Sequence, residues 1–253
     1  MSIFTNQHAT RILISLFRGA LKLVVDAISV RFARRQVISF TGAGQRIRGW
    51  FYYPRQSGEA PGVLLLPTAM GLTPHEHAFA ARLAREGYTA LVIAYTNRTT
   101  GGAVMNNDLR RKQLEQIALE GWRTLQANPM VDTNDTVVIG FSLGGYFAIN
   151  LATAVKELAP KAVALYYGMY ELAGRELIRV RTPLLILQGE NDDADFVANA
   201  KRVQEIATRD GRPWEVVFYP NTGHQFDLFE PSSAAARDAW EQTVRFLRQH
   251  LRP

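Results

Sequence analysis

From residue 36 onward the chain alternates short apolar runs with longer stretches in which apolar residues recur every three or four positions. Residues 37–41 and 47–53 read as strands joined by a hairpin turn at Gly42-Ala43-Gly44. Residues 62–66 are continuously apolar, as in a strand covered on both faces. Thr73-Pro74-His75-Glu76 offers a capping threonine, a proline in the first turn and a glutamate three residues after the cap. That combination opens a helix, which runs to about Glu86 and stops at Gly87. A strand over 89–95, a loop containing Gly101-Gly102 and a helix over 109–127 follow. Then come a strand at 136–139, a helix at 143–155 and strands at 162–167 and 184–187. The series closes with a helix at 196–208, a strand at 214–219 and a helix at 234–251. Regular alternation without repeats or linkers predicts one α/β domain over 36–253, with a mostly parallel doubly wound sheet and helices on both faces. In that architecture the chemistry lies at the carboxyl ends of the strands.

The first 35 residues are patterned differently. Arg11, Ser15, Arg18, Lys22, Asp26 and Ser29 recur at helical spacing, opposite Leu13, Leu16, Phe17, Leu21, Val24, Val25 and Ile28. Arg18, Lys22 and Asp26 interrupt a stretch that would need about 20 nearly unbroken apolar residues to span a bilayer. An ordinary secretory signal fits no better, since its positive charge should precede a clean apolar run. Three readings stay open for this amphipathic arm: packing on the body or on a second subunit, contact with a membrane surface or partner, and an atypical export signal.

Charge sharpens the contrast. The formal net charge is +6, and six basic side chains against one acidic fall within residues 1–35, leaving 23 and 22 for the other 218. The body is therefore close to neutral, unlike a nucleic-acid enzyme with a basic stripe. Hydrophobic residues at 47% and charged ones at 21% are ordinary for a globular chain. The lack of cysteine excludes a disulfide scaffold, cysteine-based metal sites and a thiol nucleophile.

The most informative stretch is Gly140-Phe141-Ser142-Leu143-Gly144-Gly145, which fits G-x-S-x-G between a predicted strand and a predicted helix. A sharp strand-to-helix turn crowds the neighbouring backbone, so glycine is needed there, and it presents the serine at the positive end of a helix. The bland alternative is a glycine-rich turn whose serine only caps the helix. A serine nucleophile needs a base and an orienting acid, in this fold in the chain order Ser, Asp or Glu, His. His224 follows the last strand, whereas His8, His75, His77 and His250 lie in the arm or on helices. Glu190, Asp192, Asp193 and Asp195 crowd the end of an earlier strand. Asp192 is the favoured acid and Asp193 the second choice, and the others read as loop carboxylates or a helix cap. His75-Glu76-His77 is not a zincin site, because H-E-x-x-H would need histidine at Phe79. Gly42-x-Gly44 has Ile47 where a dinucleotide fingerprint needs glycine.

Taken as a set, these motifs make residues 36–250 resemble the dienelactone hydrolase family of the α/β-hydrolase superfamily. Further pieces are Gly71-Leu72-Thr73-Pro74-His75, Arg85-Glu86-Gly87-Tyr88, Tyr166-Tyr167-Gly168, Gly189-x-x-Asp192 and Gly223-His224-x-Phe226. The resemblance implies an α/β-hydrolase fold with the triad Ser142, Asp192 and His224, and oxyanion amides at Leu143 and Ala69. It implies a serine hydrolase that cleaves a carboxylic ester or lactone through an acyl-enzyme. It implies no metal or organic cofactor, a small-molecule substrate and a cytoplasmic location; the near-neutral body argues against nucleic acid, and residues 11–29, outside the resemblance, are by their pattern the element for membrane contact or self-association. Three positions depart from the pattern: Ser142 stands where such enzymes carry cysteine, Thr68 where they carry glutamate, and Leu228 where an arginine binds the substrate carboxylate. Residues 169–182 are too few for a large cap domain. Thioester, peptide and carbon–carbon bond cleavage by the same triad stay open, as does a non-catalytic scaffold recruited through the basic arm.

Overall fold

The hairpin after the arm closes on a two-residue turn, because Ala43 and Gly44 both take positive φ, 50° and 72°, as a tight turn between twisted strands requires. In the computed structural model, which describes residues 34–96, 101–154, 159–168 and 180–251, this hairpin forms strands β1 (Arg34–Gly42) and β2 (Gln45–Tyr53). Strand β1 starts at Arg34, so the last two residues of the 1–35 segment belong to the sheet. The 11–29 helix lies outside the described residues.

The remaining elements alternate as the pattern predicts. They are β3 (Ala60–Leu66), α1 (Pro74–Arg85), β4 (Thr89–Ile93), α2 (Gly101–Met105), α3 (Asp108–Gln126), β5 (Val131–Phe141), α4 (Leu143–Ala154) and β6 (Ala162–Tyr166). After them come β7 (Leu184–Gly189), α5 (Ala194–Asp210), β8 (Trp214–Tyr219), α6 (Phe226–Phe229) and α7 (Ala234–His250). Two differences from the pattern have local causes. Gly101-Gly102 opens the short helix α2 instead of lying in a loop. Strand β5 begins at Val131, because Val131 and Asp132 already pair with Ala60 and Pro61. A register shift between Pro61 and Gly62 then absorbs the turn-like Thr133-Asn134-Asp135, which in sequence reads as a loop.

The eight strands of the described residues form one sheet in the order β1-β2-β4-β3-β5-β6-β7-β8. Strand β2 pairs antiparallel with β1 and with β4, and all other pairings are parallel. Every residue of β3, β4, β6 and β7 is buried, which explains their unbroken apolar runs. One core cluster joins Leu64 and Leu66 to Trp122 of α3, Phe147 of α4 and Val203 of α5. The other joins Val63 and Leu65 to Phe79 of α1 and to Phe246 and Leu247 of α7. Alternate residues of β3 thus feed opposite layers.

The chain leaves β3 toward β4 on one side but leaves β5 toward β6 on the other. The carboxyl ends of β3 and β5 therefore border the switch-point crevice, where open α/β sheets bind ligands.

Candidate active site

Ser142 sits between the end of β5 and the start of α4 with φ at +51°, a left-handed conformation that costs a non-glycine residue roughly 1–3 kcal/mol. Hydrogen bonds hold the turn: Ser142 N–H donates to Tyr166 O at 3.0 Å, and Gly145 N–H donates to Ser142 O at 2.8 Å. Gly144 lies against the end of β3, so close that a Cβ there would meet Leu66 O at 2.1 Å. This contact brings the turn after β3 beside the first amides of α4. Within that turn, Gly71 N–H donates to Thr68 O and Met70 N–H to Thr68 Oγ1, while Tyr95 Oη–H, just beyond the carboxyl end of β4, donates to Pro67 O at 2.7 Å. Ala69, in the middle of this turn, is buried.

The carboxyl ends of β7 and β8 supply the other two groups. A Cβ on Gly189 would meet Thr222 O at 2.3 Å, so the loops after these strands lie in direct contact. Glu190 N–H donates to Tyr219 O and Asn191 N–H to Thr222 O, lacing them together. Across this seam Asp192 Oδ2 lies 2.9 Å from His224 Nδ1, and His224 Nε2 lies 3.0 Å from Ser142 Oγ. The Asp192 side chain is only 1% exposed. It also accepts from Gln188 Nε2 at 2.8 Å and from the Asp193 N–H at 2.7 Å, so three donors surround this carboxylate. Buried carboxylates require such satisfaction. Asp193 caps α5 instead, accepting from Asp195 N–H at 3.0 Å, and Glu190 and Asp195 are exposed.

Two aromatic rings pack against the His224 ring. The Tyr167 ring meets it edge-on with centroids 4.9 Å apart, and the Phe196 ring lies 5.2 Å away. Sequence patterns did not single out Gln188, Tyr167 or Phe196 for these tasks. The one available signal was Gln188, a polar residue ending an otherwise apolar strand.

The three residues His75, Glu76 and His77 diverge to separate partners. Glu76 completes the capping box of α1, accepting from the Thr73 N–H at 2.8 Å and the Thr73 hydroxyl at 2.6 Å. Burial, above all, raises its pKa, and the neighbouring His75 opposes that effect. His77 Nδ1 lies 2.8 Å from Tyr52 Oη, and His75 Nε2 lies 2.9 Å from Asp227 Oδ2. No cluster of three or more metal-ligating side chains occurs among the described residues.

Against known proteins, the sequence model of the dienelactone hydrolase family matches residues 47–251. The chain belongs to the dienelactone hydrolase family. Among curated relatives, a carboxymethylenebutenolidase of Rhodococcus opacus is 29% identical over 214 residues, covering 77% of this chain and 83% of that protein. A probable 2-oxo-3-(5-oxofuran-2-ylidene)propanoate lactonase of Bradyrhizobium sp. is 25% identical, covering 78% and 87%. The fold recurs in the crystal structure of a dienelactone hydrolase-like promiscuous phosphotriesterase from metagenomic libraries, with TM-score 0.73 and 24% identity over 87% of this chain and 99% of that one. It recurs also in a Pyrobaculum calidifontis esterase, with TM-score 0.70 and 16% identity over 92% and 91%. Within the dienelactone hydrolase frame, Thr68 is a buried residue that braces its own turn, and Leu228 is a half-buried apolar residue on α6. Neither supplies the charge implied at those places by the family pattern. No described helix is long and apolar enough to cross a membrane.

Proposed function

We propose that this protein is a serine hydrolase that cleaves a carboxylic ester or lactone through an acyl-enzyme. The observation that carries this reading is the continuous hydrogen-bond chain from Asp192 through His224 to Ser142 Oγ. Ser142 Oγ attacks the carbonyl carbon while His224 Nε2 takes its proton. Asp192, held by Gln188 and the Asp193 amide, fixes the Nδ1–H tautomer of His224 and stabilises the imidazolium that forms. The amides of Leu143 and Ala69 receive the oxyanion. The start of α4 favours negative charge at that point, and each such donor contributes about 3 kcal/mol to the transition state. His224 then returns the proton to the departing alkoxide, which in a lactone stays tethered to the acyl group. A water molecule, deprotonated by His224, releases the acid and restores Ser142.

Ester or lactone is favoured over the other acyl substrates because one relative is named a lactonase and another a carboxymethylenebutenolidase. The apolar Leu228, where an arginine would hold a substrate carboxylate, argues against a requirement for a carboxylate at that place. We place the enzyme in the cytoplasm and assign any contact with a membrane surface or second subunit to residues 11–29, on the strength of their amphipathic, cationic pattern.

The test is reaction with a fluorophosphonate probe followed by peptide mapping, with turnover measured on acyl esters, lactones, thioesters and peptides. Labelling at Ser142, lost in Ser142→Ala together with ester or lactone turnover, is the expected result. An unlabelled Ser142 would leave the non-catalytic scaffold as the better reading.

A further inference from the structure

Beside the triad lies a second buried carboxylate–imidazole pair that the proposed chemistry does not use. His75, on the first turn of α1, places Nε2 2.9 Å from Asp227 Oδ2, with both side chains less than a tenth exposed. Asp227 Oδ1 accepts from the Tyr167 hydroxyl at 2.6 Å. Tyr167 is fully buried, and it takes φ of +40°, a conformation that a bulky side chain adopts only under constraint from its surroundings.

Each member of this group reaches a different part of the site. The Tyr167 ring is the one that meets His224 edge-on. Asp227 lies three residues beyond His224, on α6, in a loop where Asn221 and Gln225 both have positive φ, at 54° and 56°. His75 packs edge-on against Phe141, the residue before the serine, with centroids 5.7 Å apart. The pair thus fastens the loop bearing His224 to α1 and, through Tyr167, to the end of β6. A loop with two left-handed non-glycine residues needs such an outside tie to stay in one conformation. The Asp192–His224 hydrogen bond fixes one edge of the imidazole but leaves its ring free to pivot about that bond. The Tyr167 edge and the Phe196 ring remove that freedom.

We infer that His75, Asp227 and Tyr167 form a buried positioning unit that sets the orientation of His224 toward Ser142 Oγ. This inference rests on the assignment of His224 as general base. The three are positioning residues, since they act through His224 and not on the substrate.

The experiment uses the full chain and variants that keep the interior filled. Asp227→Ala would remove the buried carboxylate that faces both His75 Nε2 and the Tyr167 hydroxyl and is expected to unfold the protein, so it is not informative. Tyr167→Phe keeps the ring and removes only its tie to Asp227, and His75→Gln keeps a hydrogen-bond donor toward Asp227 without the imidazole ring. Both are expected to retain the wild-type circular dichroism spectrum. Each should lower kcat by about 10- to 100-fold with KM nearly unchanged, because a small misplacement of a general base affects the chemical step and not ground-state binding. Fluorophosphonate labelling of Ser142 should slow by a similar factor. The double variant should lose little more than either single one, as expected of residues that act as a unit. Folded Tyr167→Phe and His75→Gln proteins with wild-type kcat and labelling rate would overturn the inference, as would fully additive losses. Failure of the triad assignment would look different: Ser142 would then be unlabelled in the wild type itself.

Discussion

A Cβ on Gly144 would lie 2.1 Å from the carbonyl oxygen of Leu66 and 2.8 Å from that of Pro67. Both oxygens belong to backbone at the end of β3, which cannot swing aside as a flexible side chain could. Gly144→Ala must therefore push the start of α4 away from the turn that holds Ala69. The expected result is a loss of about 1–3 kcal/mol of stability from overpacking and a fall in kcat of roughly 100-fold as the two proposed oxyanion amides separate. Chemical denaturation and steady-state kinetics on one preparation would check both figures. Activity within a few-fold of wild type would show that the contact does not govern the site.

Neighbouring aspartates should behave differently on substitution. Asp192→Asn keeps the size of the side chain but puts an amide beside His224 Nδ1, so it disfavours the required tautomer. A drop in kcat of about 10³- to 10⁴-fold is expected. Asp193→Ala removes only the cap of α5, whose backbone N–H still donates to Asp192. It should cost about 1 kcal/mol of stability and leave kcat within a few-fold. Equal kinetic losses in both variants would contradict the division of labour between them.

Acid should weaken the fold through His77. Its pKa in the folded protein is lowered to about 4, first by burial and then by Arg35. Between its ordinary value of 6.5 and about 4 the unfolded chain binds the proton and the folded chain does not. The contribution is therefore complete above pH 6.5 and is lost as the pH falls to about 4, and it amounts to roughly 2–3 kcal/mol. Glu76, whose pKa is raised by burial, works in the opposite sense: its contribution is present below its ordinary value of 4.5 and declines as the pH rises through its folded pKa. His77→Gln keeps a partner for the Tyr52 hydroxyl and removes the titration. Its Tm should vary less between pH 6.5 and 4 than that of the wild type.

Removal of the arm is best made at residue 33, because β1 starts at Arg34 and Arg34 itself lies over the Tyr53 ring, 5.1 Å from its centroid. The truncated protein should keep its kcat within about two-fold, since the proposed triad residues Ser142, Asp192 and His224 all lie in the loops that follow β5, β7 and β8. It should lose affinity for anionic vesicles at low salt, where each basic side chain near the surface contributes about 1 kcal/mol. If vesicle binding were equal with and without the arm, a change in sedimentation would assign it to subunit contact instead.

Much of the fold was legible because its signals are local. Glycine and proline punctuation, the capping box at Thr73 and the apolar runs of residues 62–66 and 184–187 each depend on a few adjacent residues. The pattern misread places where pairing overrode local preference. Thr133-Asn134-Asp135 resembles a turn, yet it sits within β5 because a bulge opposite Pro61 accommodates it. The acid was ambiguous for a related reason. Four carboxylates within six residues share the same local context, and what separates them is which one faces a loop 32 residues further along the chain.

By itself, the sequence determined the α/β class, the strand-to-helix turn at Ser142 and the position of His224 after the last strand. These follow from periodicity, from glycine at crowded turns and from chain order. Only the tertiary structure decided that Asp192 and not Asp193 meets the imidazole, that Gln188 satisfies the buried carboxylate, and that His75, Asp227 and Tyr167 converge beside His224. Those relationships join residues from strands and helices far apart in the chain. Hydrogen bonds and ring contacts act over a few ångströms, and the folded sheet alone sets which side chains come that close.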